Sequence, residues 1–322
     1  MPRRAALCAN VLFVTLLLQL AGCITINLMP GPGPLKEEQI SGTGKAKILM
    51  IDLSGLISSR DQESFFGEKP NMVAQIKEEL TRAAEDDKVK AVVLRINTPG
   101  GTVAASDILY HEIKAFKEKR KVPVVASIMD VGASGGYYVA AAADRILAHP
   151  SSVTGSVGVI MLTINAHGLL EKIGVETTAV TSGPRKDMGS PFRPMTPEER
   201  AIFQSVIDSF YGRFLAVVKD GRPGLSTEQI RKLADGRIYS GEQAMANGLV
   251  DGIGYLDEAI DSAKQAAGLT EARVIVYRRP GEYRNNIYSQ WIGGGGMTAL
   301  PSFDLLTMVR GGTPQFMYLW MP

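Results

Sequence analysis

From Ala46 to Pro150 the chain alternates runs of aliphatic and β-branched residues with amphipathic stretches, an order that few folds can accommodate. AKILMIDLSGLIS (46–58), VKAVVLRINTPGG (89–101) and VPVVASIMD (122–130) are nearly continuous apolar runs of strand length, as expected for strands covered on both faces. Between them, residues 72–88 carry Val73, Ile76, Leu80 and Ala83 at helical spacing, and residues 104–119 form a second helical stretch. SGGYYVAAAA (134–143) reads as a short, small-residue helix, and DRILAHP and SVGVIM as short strands. Strands separated by helices in this way predict an α/β core with a parallel sheet. Farther on, the pattern predicts a helix over 165–174, a strand over 175–181 and an irregular segment over 182–197. A long helix over about 197–220 follows, with Thr196 as its N-cap and Pro197 in its first turn. Two short helices, a helix over 255–268 and the strand ARVIVYRR complete the regular part. No repeat of fixed period is visible.

The N-terminus reads as an export signal. Arg3 and Arg4 precede an apolar run from Ala5 to Ala21, which ends in Leu20-Ala21-Gly22-Cys23. L-A-G-C resembles the lipobox of bacterial lipoproteins, in which cleavage leaves the cysteine as a lipid-modified N-terminus. An uncleaved membrane anchor is the other reading of the run. Both place the body of the protein outside the cytoplasm and tie it to a membrane. The expected organisation is a signal peptide over 1–22, a Pro/Gly-rich tether over 23–45, a catalytic domain over 46–275 and an apolar C-terminal segment over 276–322. That last segment holds Trp291, Phe316, Tyr318, Leu319 and Trp320, too apolar for a free tail, and is expected to pack on its own domain or on a neighbouring subunit.

Charge and cysteine content narrow the function. The chain has 35 basic and 33 acidic residues, and residues 1–22 contain two arginines and no acid, so the processed chain is formally neutral. Such a balance argues against gripping nucleic acid. Two cysteines and three histidines argue against a disulfide framework, a Cys-rich zinc site or an iron–sulfur cluster. With Cys8 in the leader and Cys23 acylated, the body has no free thiol, so a cysteine nucleophile is not expected.

Three segments carry candidate chemistry. Asn97-Thr98-Pro99-Gly100-Gly101 follows a strand, and its glycines can turn the backbone so that N–H groups face a site; an ordinary strand-to-helix turn has the same composition. Gly132-Ala133-Ser134-Gly135-Gly136-Tyr137-Tyr138 puts a serine between small residues where a strand meets a helix, the placement of a nucleophile and equally that of an N-cap. Thr181–Pro191 is a polar loop holding Lys186, which as a general base would have to be desolvated far enough to be neutral near pH 7.

Together these segments resemble the signal peptide peptidase A (protease IV) family, in its short, single-domain form. The resemblance spans roughly residues 46–275. N-T-P-G-G, A-S-G-G-Y-Y, V-T-G-S-V-G-V-I-M (153–161), G-P-R-K-D-M-G-S-P-F-R-P-M-T-P-E-E-R (183–200), A-D-G-R-I-Y-S-G-E-Q-A and G-L-V-D-G-I-G stand in the family's order. The resemblance implies a Clp-protease/crotonase fold of repeated β-β-α units and an oligomer. It implies that Ser134 is the nucleophile, Lys186 the general base and Ser156 a serine that orients the lysine. Gly101, with Gly100 beside it, and Gly135 would form the oxyanion hole. Arg185 departs from the pattern, since an aromatic residue or histidine often precedes the lysine. The implied chemistry is a serine acyl-enzyme cycle with lysine in place of histidine, needing no metal or organic cofactor. The implied substrates are signal peptides and similar membrane-derived peptides, bound extended against an edge strand. Tyr137, Tyr138, Met129 and Met161 lie near the motifs as candidate pocket residues, with Met161 better suited to the core. In short members one site can draw its serine and lysine from adjacent subunits.

Two rivals remain at this stage. A crotonase-type acyl-CoA enzyme would share the fold and glycines but would need neither Ser134 nor Lys186, and export separates it from coenzyme A. A catalytically silent membrane scaffold would have no use for Ser134, Ser156 and Lys186 together. His111, His149 and His167 fall outside the motifs and are expected to be structural.

Overall fold

The computed structural model describes residues 33–60, 62–64, 67–279 and 315–321. The expected signal peptide, Cys23 and Trp291 lie outside these residues. In chain order the elements are β1 (Lys36–Gly42), β2 (Lys47–Ser54), β3 (Gln62–Ser64), β4 (Gly67–Lys69), α1 (Met72–Glu85), β5 (Val89–Thr98), β6 (Gly100–Thr102), α2 (Val103–Arg120), β7 (Val124–Ala133), α3 (Gly135–Ala140) and β8 (Arg145–Ala148). There follow β9 (Val153–Gly155), β10 (Ile160–Leu162), α4 (His167–Lys172), α5 (Pro197–Gly221), α6 (Thr227–Leu233), β11 (Ile238–Ser240), α7 (Gly241–Ala246), β12 (Gly252–Ile253), α8 (Leu256–Ala266), β13 (Arg273–Arg278) and β14 (Gln315–Leu319).

The apolar runs form the centre of the main sheet, ordered β1-β13-β2-β5-β7-β8-β12. From β13 to β12 the pairings are parallel, and β1 closes one edge antiparallel. Both faces are covered, which is why the strands lack an alternating polar pattern. Leu49, Ile51 and Leu53 of β2 face a layer with Ile76 and Leu80 of α1, Leu109 and Ile113 of α2, and Phe214 and Val218 of α5. Ile48 and Met50 point the other way, onto Leu256, Ala259, Ile260 and Ala263 of α8. Each fully buried aliphatic side chain contributes about 1.5–3 kcal/mol. The orders β1-β2-α1 and β5-β6-α2 give the expected β-β-α repetition, with the hairpin β3–β4 inserted in the first.

Helix limits follow local chemistry. The Asn71 side chain caps α1 by accepting from Ala74 N–H at 3.0 Å. Thr196 and Glu199 form a reciprocal capping box at the start of α5, with Pro197 in the first turn.

Three expectations need correction. Residues 36–42, assigned by composition to the tether, form β1 and pair with β13 from Lys36↔Arg278 to Gly42↔Arg273. The Pro/Gly run ends at Pro34, and the following KEEQISG is an edge strand whose largely exposed side chains read as linker. Residues 175–181 form no strand: they are exposed throughout, with no strand partner among the described residues. The run SVGVIM is not one strand either, because β9 ends at Gly155 and the chain turns before β10. Of the apolar C-terminal segment, Gln315–Leu319 packs on its own domain, as β14 between β6 and β10.

Candidate active site

The site forms where the parallel strands end. β7 pairs with β8 through Val125–Ile128 and then with β9 through Val131–Ala133, where Ala133 stands opposite Gly155. The next residues along these two strands are Ser134 and Ser156, so the register sets the serines side by side. Ser134 N–H donates to Gly155 O at 2.8 Å, and Ser156 N–H donates to Arg237 O at 2.7 Å. Both serines are buried, at 1% and 7% exposure.

Their backbones are strained. Ser134 has φ +50° and ψ −114°, and Ser156 has φ +51°. Among the described residues only Lys121 shares a positive φ without being glycine. Such conformations cost on the order of 1–3 kcal/mol and persist where the surroundings enforce them. Ser134 precedes α3 but makes no side-chain capping bond, so the N-cap reading does not describe it. The sharp turn leaves its hydroxyl uncommitted to the helix.

The glycine turn faces Ser134. Thr98 Oγ1 accepts from Gly100 N–H at 3.1 Å, and its own hydroxyl donates to Gly55 O. The Ile57 N–H donates to Gly100 O at 2.9 Å, and Thr102 N–H donates to Ile57 O at 2.9 Å, which fixes both sides of Gly101. Gly100 has φ +107°, and a methyl group built on it would overlap the Tyr318 carbonyl oxygen and stand 2.7 Å from Gly135 N. One on Gly101 would overlap the Ile57 carbonyl, and one on Gly135 would stand 3.1 Å from Gly101 N. The three glycines thus press together in space that no side chain can share. Asn97, whose Oδ1 accepts from Val131 N–H at 3.2 Å, ties this turn to β7.

Lys186 stands apart. It is exposed on the arm 163–196, and among the described residues no hydrogen bond joins it to Ser134 or Ser156. An open hollow of about 900 Å³ surrounds it, lined by Ser182, Asp187, Arg193, Thr196 and Glu198 among others and by none of the serine-turn residues. Arg193 anchors this loop: its Nε donates to Asp187 at 2.7 Å and its Nη1 to Glu199 at 3.0 Å. These bonds hold both carboxyls below the usual carboxylate range and raise the guanidinium's own value. The clamp is absent from the sequence reading, although R-x₅-E before a capping box was its available signal. Tyr137 and Tyr138 are fully buried; Tyr137 donates to Leu249 O at 2.8 Å, and Tyr138 donates to Asp107. Met129 and Met161 are half-buried. His111 is exposed, and His149 accepts from Ser151 N–H and packs on Tyr255.

A buried serine in a strained strand-to-helix turn, with the following Gly135 packed against a glycine turn, is the arrangement of serine hydrolases on an α/β scaffold. Residues 116–270 match the model of peptidase family S49. The chain is 38% identical, over 82% of its length and 75% of the relative's, to an Enterococcus faecium protein provisionally named signal peptide peptidase SppA. It is 34% identical, over 70% of its length and 33% of the relative's, to the chloroplastic serine protease SPPA of Arabidopsis thaliana. A solved structure, a mutant of the 1510-N membrane-bound stomatin-specific protease with a substrate peptide, aligns over 68% of this chain and 80% of its own at TM-score 0.44 and 18% identity. The chain belongs to peptidase family S49 and is a serine endopeptidase.

Proposed function

We propose that this chain is a membrane-anchored endopeptidase that degrades signal peptides and similar membrane-derived peptides through a Ser–Lys acyl-enzyme cycle. The observation that carries it is the pair of strained, buried serines at adjacent strand ends, with Gly135, the residue after Ser134, packed against the glycine turn. Neutral Lys186 takes the proton from Ser134 Oγ, and the oxygen attacks the peptide carbonyl. Gly101 and Gly135 N–H groups, with Gly100 shaping the turn, stabilise the tetrahedral oxyanion, an effect of about 3–4 kcal/mol per key donor. The lysine then protonates the leaving amine, water releases the acyl group, and Ser156 orients the lysine through its hydroxyl.

The exposed position of Lys186 fits a site shared between subunits. A lysine in water is charged near pH 7 and cannot act as a base; a neighbouring copy would supply the desolvation. Lipid on Cys23 would hold the assembly at the extracytoplasmic face of a membrane, with residues 46–275 as the peptidase domain. Signal peptides enter this reading through the name of the Enterococcus faecium relative.

Turnover of a signal-peptide-like fluorogenic substrate from neutral to alkaline pH tests the mechanism. Ser134→Ala and Lys186→Ala should each lower kcat by roughly 10⁴-fold or more. Wild-type turnover by Lys186→Ala would move the base elsewhere and reopen His149 and His167. No turnover and no labelling by a serine-directed probe in the wild type would favour the scaffold.

A further inference from the structure

The support beside Ser156 comes from a distant part of the chain. β11 pairs antiparallel with β9 through Ile238↔Gly155, Tyr239↔Thr154 and Ser240↔Val153. One further bond carries the contact past the end of β9: the Arg237 carbonyl accepts from Ser156 N–H at 2.7 Å. Ser156 has φ +51°, a conformation that a serine keeps only where its surroundings enforce it. The Arg237 carbonyl is the fixed group to which its N–H is tied.

Arg237 is held in turn by Asp235. Asp235 Oδ1 accepts from the Arg237 backbone N–H at 3.1 Å and from its Nε at 2.8 Å, and Oδ2 accepts from Nε at 2.8 Å and from Nη2. Side chains and backbone thus close a small ring around Gly236, whose φ of +90° lets the chain turn inside it. The guanidinium holds the Asp235 carboxyl below the usual carboxylate range, so the fork stays charged near pH 7. Two hydroxyls seat the start of the turn: Tyr211 of α5 donates to Ala234 O at 2.7 Å, and Tyr239 donates to Leu233 O at 3.0 Å. Asp235 and Arg237 are themselves exposed, at 43% and 63% of their side chains. An ion pair so exposed adds little to stability, which leaves the aim of the Arg237 carbonyl as its effect. Ser134 has separate support. Its N–H donates to Gly155 O, Gly155 stays paired with Ile238, and Thr154 Oγ1 donates to Gly132 O at 2.7 Å.

We propose that the Asp235-Gly236-Arg237 turn is a positioning element of the catalytic site: the Asp235–Arg237 fork fixes the Arg237 carbonyl, the carbonyl fixes the Ser156 backbone, and the Ser156 hydroxyl is thereby held where it meets the general base. The proposal rests on the reading of Ser134, Ser156 and Lys186 given above. Asp235 and Arg237 act through Ser156, so their loss lowers kcat and leaves substrate binding alone.

A double-mutant cycle on the full chain tests this, with turnover of the fluorogenic peptide as readout and urea midpoints as the check on folding. Asp235→Ala should lower kcat about tenfold with KM changed less than about twofold. Asp235→Asn, which keeps an oxygen to accept the Arg237 N–H, should recover most of that loss. In the Ser156→Ala background, Asp235→Ala should lower kcat by less than about twofold more, because the hydroxyl it positions is already gone. Arg237→Ala breaks the same fork from its other side and decides the question if Asp235→Ala does not fold. An unchanged kcat in a folded Asp235→Ala overturns the proposal, as does a rise in KM without a fall in kcat. Losses that multiply in the double variant overturn it too, since the turn would then act on the fold and not through Ser156. Ser156→Ala alone separates the two readings: wild-type turnover in it removes the role of Ser156 and this proposal with it, whereas loss in Ser156→Ala beside full turnover in Asp235→Ala removes this proposal alone.

Discussion

Ser134 holds a backbone conformation that a side chain resists, and its covalent neighbours do not explain why. The strain is imposed by β7 and β9, which pair up to Ala133 and Gly155 and leave the next residue no extended path. Glycine at this position should relieve it. Ser134→Gly should therefore be more stable to urea than Ser134→Ala by about 1 kcal/mol, although both lack the hydroxyl. Equal midpoints and slopes for the two variants would show that the turn is unstrained. The residue types of the site were legible in the sequence, since serine between small residues and paired glycines are covalent facts. The strain, the side-by-side serines and the Thr98 hydroxyl under the turn were not, because they depend on register between strands far apart in the chain.

At the scale of elements, the same distinction separates the core from the arm. β2, β5 and β7 were readable because strands buried on both faces need unbroken apolar runs, and α1 because one buried face imposes a 3.6-residue period. Residues 175–181 misled because a run rich in β-branched residues forms a strand only where a partner strand waits, and none among the described residues does. β1 misled because its partner, β13, lies more than 200 residues away. The arm is held instead by charge, through Arg193 on Asp187 and Glu199. Since both carboxyls are held below their ordinary values, their contribution is complete above about pH 5 and fades as pH falls through the ordinary values to the lower folded ones. Amide hydrogen exchange over 187–199 should be slow at pH 7 and, corrected for intrinsic rates, faster at pH 3. Arg193→Ala should show the faster exchange already at pH 7, with kcat reduced more than KM is raised. Equal protection at both pH values would mean that the clamp does not anchor the lysine loop.

For the whole molecule, the question is how an exposed Lys186 would come to serve a buried Ser134 in the proposed cycle. The arm that carries the lysine also displays Ile164, Leu169, Ile173, Val175 and Phe192, with Ile173 64% and Leu169 63% exposed. Apolar side chains grouped on one exposed segment are costly in water and are the kind of surface that association can cover. If copies associate head to tail through this arm, each site takes its serine from one subunit and its lysine from the next. The arrangement makes a strict prediction about two inactive proteins. Ser134→Ala still carries Lys186, and Lys186→Ala still carries Ser134. Dissociated, mixed in equal amounts and reassembled at random, they should recover up to about one quarter of wild-type turnover, the fraction of junctions that pair an intact serine with an intact lysine. A site contained within one chain would recover nothing, because every chain in the mixture lacks one of the two groups. Phe192→Asp in both partners should abolish the recovery if the arm is the junction, and in the otherwise wild-type chain it should yield monomers by sedimentation with turnover lost. Monomers that retain full turnover would place the lysine beside the serine of its own chain, and the arm would then have to fold inward.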